Sequence, residues 1–152
     1  MNAQTLFSIS NSLAMLGWLL LVLYYPMRQR LSFLRKPVEQ AWVPVLLSVT
    51  YTAVMISSLL GWLPGGSGNF SSIAGVRSLF EADYTLLAGW VHYLAFDLFV
   101  GIQIARAARP HNVSILILLP IWFFTFMFGP VGYLLWRLLR PWIIKDHSEV
   151  SA

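Results

Sequence analysis

Apolar residues in this chain do not alternate with polar ones. They gather into four long blocks, over residues 6–25, 42–63, 85–107 and 113–139, separated by short polar or basic segments. Each block reaches the roughly 20 residues that a helix needs to cross the hydrocarbon core of a bilayer. A helix satisfies its own backbone polar groups there, whereas strands do so only in a closed barrel. A barrel would show many short segments alternating at period two, and these blocks are few and continuous. The pattern predicts an all-α fold: one transmembrane domain over residues 1–152, built as a four-helix bundle. The last block contains Pro120 and Gly129-Pro130. It is read as one long kinked helix rather than as a re-entrant segment.

The longest connection, Pro64 to Tyr84, opens with Pro-Gly-Gly-Ser-Gly, a turn signal. Ile73, Val76 and Phe80 then follow helical spacing. They predict a short interfacial helix in this second loop. Trp18, Tyr24, Tyr25, Trp42, Trp62, Trp136 and Trp142 cluster towards block ends, and most are read as anchors at the membrane interface.

Composition agrees with the blocks. The chain is 58% hydrophobic and 11% charged, against about 25% charged in a soluble domain. So few charges cannot coat a water-facing surface, and an integral membrane protein is expected. The net charge of +4 comes from basic residues at block ends. There they set orientation and meet lipid headgroups, so no nucleic acid is expected as partner. Arg28, Arg30, Arg35 and Lys36 follow the first block, and Arg106 and Arg109 follow the third. Arg77, Arg137, Arg140 and Lys145 would occupy the other side. The positive-inside rule then favours an outside N-terminus, by six basic residues to four. No basic signal region or Arg-rich transit segment precedes the first block, which points to a bacterial inner membrane. The absence of cysteine excludes disulfides, thiolate metal sites and iron–sulfur clusters.

The third block carries the candidate chemistry, because an ionisable group at membrane depth is costly. Asp97 lies near its middle, and His92 and Gln103 share the helix. At 100° per residue, Trp90, Tyr93, Gly101 and Ile104 fall on the face of Asp97. Phe96, Phe99, Gln103 and Arg106 fall on the face of His92. His92 and Asp97 are separated by about 140° and about 7.5 Å of rise, too far for a direct hydrogen bond. Either they flank one elongated ligand at different heights, or each has its own partner on a neighbouring helix. A structural role for Asp97 is the alternative. Its carboxyl would then bridge to Ser48, Thr50, Thr52, Ser57 or Ser58 of the second block, or to Asn11 or Ser12 of the first. The catalytic candidates are His92 and Asp97. Trp90, Tyr93, Phe96, Phe99, Gln103 and Arg106 are candidates for contacting substrate. No metal is expected, since His92 and Asp97 would have to converge with Glu81, Asp83 or His111 from different heights. Nor is a cofactor: no lysine lies in a block to hold retinal, and only one histidine does, which excludes bis-His haem within one chain.

The stretch EADYTLLAGWVHYLAFDLFVG, Glu81 to Gly101, resembles the signature of the membrane-protein family named for abscisic-acid-deficient protein four. RPHNVS (Arg109–Ser114) and FGPVGYLLWRLL (Phe128–Leu139) extend the resemblance through the second half. It implies a four-helix membrane protein linked to isomerisation of the epoxide violaxanthin to the allene neoxanthin. Trp90, His92, Asp97, Leu98 and Phe99 would be motif positions. Where relatives carry an Arg directly after Asp-Leu-Phe-x-Gly, this chain has Ile102-Gln103, with Arg106 one turn on. The implied reaction needs an acid at the epoxide oxygen and a base for a vinylic proton. Asp97 would donate and His92 accept, beside a groove of Trp90, Phe96, Phe99 and Phe123–Phe128. The expected partner is a carotenoid or other membrane lipid. The alternatives are a non-enzymatic scaffold that presents such a lipid to a partner enzyme, or a structural subunit of a membrane complex, including a homo-oligomer.

Overall fold

The computed structural model describes residues 2–144. Lys145, counted in the charge balance above, lies outside them. The described residues form helices and turns, without a strand. Helix α1 spans Ala3–Met27, and Asn2 caps it by accepting from the Thr5 amide at 2.8 Å. A short helix α2, Arg35–Glu39, precedes α3, Trp42–Leu59. The predicted interfacial helix is present as α4, Ile73–Leu79, where Ser72 Oγ accepts from the Gly75 amide at 3.0 Å. Helix α5, Asp83–Ala108, holds the third block. Among the described residues, three helical stretches are long and apolar enough to cross a membrane: α1, the run Ser32–Leu59 that contains α3, and α5.

The fourth block departs from expectation. It is not one kinked helix but two: α6, Ile115–Phe128, and α7, Pro130–Ile143, of 14 residues each. Each is about 21 Å long, short of the roughly 30 Å core. Gly129 joins them at φ +33°, a region that favours glycine. Pro130 then starts α7, where its missing N–H has no helical role. In a continuous helix Thr125 and Gly132 would stand about 10.5 Å apart along the axis. Instead, a Cβ on Gly132 would overlap the backbone of Thr125. The chain therefore folds back at Gly129, and the bare Cα of Gly132 lets the two limbs touch. The far end of α7 agrees: Arg137 and Arg140 line a pocket with His111, from the turn before α6. The limbs form a hairpin that begins and ends at the same level.

The chain divides into two compact units, with α1 and α5 contributing to both. The first comprises Met1–Gly17 and Trp42–Ala95. Its core joins Ala14 of α1, Leu47 and Val54 of α3, and Leu87, Ala88, Val91, Leu94 and Ala95 of α5. Phe80, after α4, lays its ring against the bare Cα of Gly89, which fixes the second loop to α5.

The second unit comprises Trp18–Ala41 and the chain from Phe96 onward. Here Trp122 of α6 is buried and donates from Nε1 to the Gly101 carbonyl at 3.1 Å. Its ring meets Tyr25 edge to face at 5.5 Å. Trp18 covers Gly101, where a Cβ would come within 2.5 Å of its ring. Trp18, Tyr24, Tyr25 and Trp136 are all buried. These four are packing residues rather than interface anchors, whereas Trp42, Trp62 and Trp142 are exposed as expected of anchors.

Candidate functional site

In the second unit, Asp97 is the one carboxyl side chain that is buried among the described residues. It lies near the middle of α5, and its carboxylate rests on Gly129, at the fold-back between α6 and α7. A Cβ at Gly129 would overlap that carboxylate. The contact follows from three local features. Helix α5 is long and unbroken, so it carries Asp97 to mid-depth. Gly129-Pro130 ends α6 opposite it. Gly129 has no side chain, so a polar group fits against the backbone. Thr125 is fully buried one turn before the break, and its hydroxyl donates to the Ile121 carbonyl at 2.8 Å within its own helix.

The other face of α5 is different in kind. His92, Phe96, Phe99, Gln103 and Arg106 are all exposed. Arg106 donates to Gln103 Oε1 at 3.1 Å, an exposed pair on the helix surface. From Asp97 onward burial distinguishes the two faces of α5, whereas Trp90, on the Asp97 face, is exposed and Tyr93 half-buried. The Asp97 face continues inward through Gly101 and Ile104, both buried. The His92 face is turned outward along the helix. In the first unit His92 sets its ring 5.6 Å from that of Tyr51 on α3.

Trp90 and Tyr93 also belong to the first unit. Their rings lie 5.5 Å apart, and Phe7 of α1 follows at 6.0 Å from Trp90. Trp90 Nε1 donates to Asn11 Oδ1 at 3.0 Å. Asn11, named above as a partner for Asp97, is bonded to Trp90. Phe7, Leu86, Leu87 and Trp90 line a cleft of about 350 Å³ with Ala3, Gln4 and Asp83 at its edge. Ser48 and Thr52, two further partners proposed for Asp97, donate instead to carbonyls of their own helix, Pro44 and Ser48, at 2.8 Å each. Thr50 does the same towards Leu46 at 3.1 Å.

One cluster escaped the sequence reading. Glu39 accepts from the Tyr24 hydroxyl and from Arg109, at 2.6 Å each, and from Arg35 Nε at 3.4 Å. The Arg109 guanidinium also stands 5.9 Å from the Tyr24 ring. Beside it, Tyr25 donates to the Val113 carbonyl at 2.8 Å, and Arg28 to Asn112 Oδ1 at 3.1 Å. This knot ties the end of α1 and α2 to the turn between α5 and α6. Its signal was the lone acid in a basic loop, but nothing local says which cation it takes.

The helices and the buried carboxyl at a helix break define a small, all-helical membrane protein. The model of the family described as ABA DEFICIENT 4-like matches residues 5–136, and the chain belongs to that family. Neither a curated protein nor a solved structure matches it.

Proposed function

We propose that the chain acts on a carotenoid or a related isoprenoid lipid inside the membrane, as an epoxide-to-allene isomerase with Asp97 as its acid. The observation that carries this reading is the buried carboxyl of Asp97 on the Gly129 break. An acid held beside a helix break in the apolar interior is the kind of group that can deliver a proton to an epoxide oxygen. Family membership is consistent with this, since the family is tied by its name to abscisic acid deficiency.

The step balances without a cofactor. Asp97 protonates the epoxide oxygen, the C–O bond at the carbon that bears the polyene breaks, the oxygen stays on the other carbon as a hydroxyl, and positive charge spreads into the polyene. Loss of a proton from the adjoining polyene carbon closes the allene. The carboxylate left on Asp97 takes that proton, so the net change is an isomerisation. In this form His92 is not required, because it stands on the outward face of α5. The arrangement with His92 as base makes the opposite prediction for its removal.

The orientation belongs to the same proposal. Because the hairpin returns to the level of His111, Arg137 and Arg140 join Arg28, Arg30, Arg35, Lys36, Arg106 and Arg109 on one side. Among the described residues, Arg77 alone is left on the other. The positive-inside rule then puts the N-terminus outside by a far wider margin than four full crossings would.

The test is turnover of epoxy-carotenoids by purified protein in lipid discs, followed by chromatography of the products. Asp97→Asn should lower turnover by about 10²-fold or more while leaving the helical fold intact. Full turnover in that variant would remove the reading. Pigment bound with no product from either form would instead favour a lipid-presenting scaffold.

A further inference from the structure

The hairpin brings together cations that the isomerase reading does not use. His111 from the turn after α5 and Arg137 and Arg140 from the last turns of α7 line one open pocket of about 320 Å³, with Pro141 and Ile144. The two arginines stand three residues apart, on one side of α7. Neither takes part in an ion pair among the described residues, where the ion pairs are Arg35 and Arg109 with Glu39. Glu39, the acid of that side among the described residues, is thus already engaged by other groups. Among the described residues, the pocket presents two guanidinium groups and an imidazole without a carboxylate in its lining.

Its depth narrows what it holds. Gly129 lies against Asp97, near the middle of α5. Arg137 and Arg140 follow it by eight and eleven residues, so α7 carries them about 12 Å and 16 Å from that level. Half of the hydrocarbon core is about 15 Å, which is where phospholipid phosphates begin. The rest of α7 suits that place: Val131, Leu134 and Leu138 are exposed and apolar. Planar guanidinium groups match phosphate oxygens in paired hydrogen bonds.

We infer that the His111–Arg137–Arg140 pocket binds the phosphate of an anionic phospholipid headgroup and so holds the returning limb of the hairpin at the membrane surface. The inference does not depend on the isomerase reading.

The full chain, purified in mixed micelles of phosphatidylglycerol and phosphatidylcholine, is examined by native mass spectrometry for retained lipid. One phosphatidylglycerol per chain is expected, retained in preference to phosphatidylcholine. The double variant Arg137→Gln/Arg140→Gln should weaken that retention by about twenty-fivefold, taking a factor of about five per basic residue at an anionic surface. The control is Arg30→Gln/Lys36→Gln, which removes two cations from the same side but not from the pocket. Equal loss in both double variants means general attraction rather than a site, and overturns the proposal. So does unchanged retention in the pocket variant. A second arm adds inorganic phosphate or pyrophosphate to wild type. Retention of the lipid supports the headgroup assignment, and its displacement at millimolar concentration overturns it in favour of a soluble phosphate. Both double variants alter exposed side chains, and their helical circular dichroism should match wild type.

Discussion

The carboxylate of Asp97 fills the space that a side chain on Gly129 would need. The one buried carboxyl among the described residues and the break in the last apolar block are therefore one feature. A helix that turns back inside apolar surroundings exposes backbone groups which must find partners.

That contact predicts a dependence between the two positions. Gly129→Ala should lower stability by about 1–3 kcal/mol from backbone strain alone, and further by displacing Asp97. Combining it with Asp97→Ala should recover part of the loss, with a coupling of at least about 0.5 kcal/mol. Thermal unfolding of the four proteins in detergent measures it. Strictly additive losses would show that the two residues do not touch.

The hairpin predicts which surface each end reaches. The chain has no cysteine, so single substitutions report cleanly with a membrane-impermeant thiol reagent. Gln4→Cys should label on intact cells. Gln29→Cys and Trp142→Cys should label only after permeabilisation. Labelling of Trp142→Cys from outside would mean that the fourth block crosses the membrane completely.

The Glu39 knot predicts stability rather than activity. Tyr24→Phe removes a 2.6 Å hydrogen bond to a carboxylate and should cost about 1.5–3 kcal/mol. Glu39→Gln leaves the partly buried Arg109 without its counter-charge and should cost at least as much. Denaturation midpoints check both. Turnover measured well below the midpoint should stay within about twofold of wild type, because neither residue meets substrate in the proposed mechanism.

The two faces of α5 predict unequal sensitivity. His92→Gln and Gln103→Leu alter exposed positions and should shift stability by no more than about 0.5 kcal/mol. Under the single-carboxyl mechanism, His92→Gln also keeps its turnover. A loss approaching that of Asp97→Asn would restore His92 as the base and require the substrate to reach both faces of the helix.

Much was already decided by sequence. Uninterrupted apolar blocks have few solutions in a bilayer, so helix, membrane and the ends of α1, α3 and α5 followed from length and hydropathy. Ile73, Val76 and Phe80 foretold α4, because helical spacing is a local signal. The 100° period separated the faces of Asp97 and His92, since it acts within one helix. The path of the fourth block was not decided in this way. Gly129-Pro130 is compatible with both a kink and a reversal, and hydropathy is the same for either. What settled it was tertiary: Gly132 against Thr125, Gly129 against Asp97, and Trp122 on the Gly101 carbonyl. The Glu39 contacts with Tyr24 and Arg109 likewise join residues 15 and 70 apart in the chain. Local pattern fixes which segments are helices, because their hydrogen bonds close within four residues. Which helices turn back, and which polar group meets the turn, depends on side chains that only packing brings together.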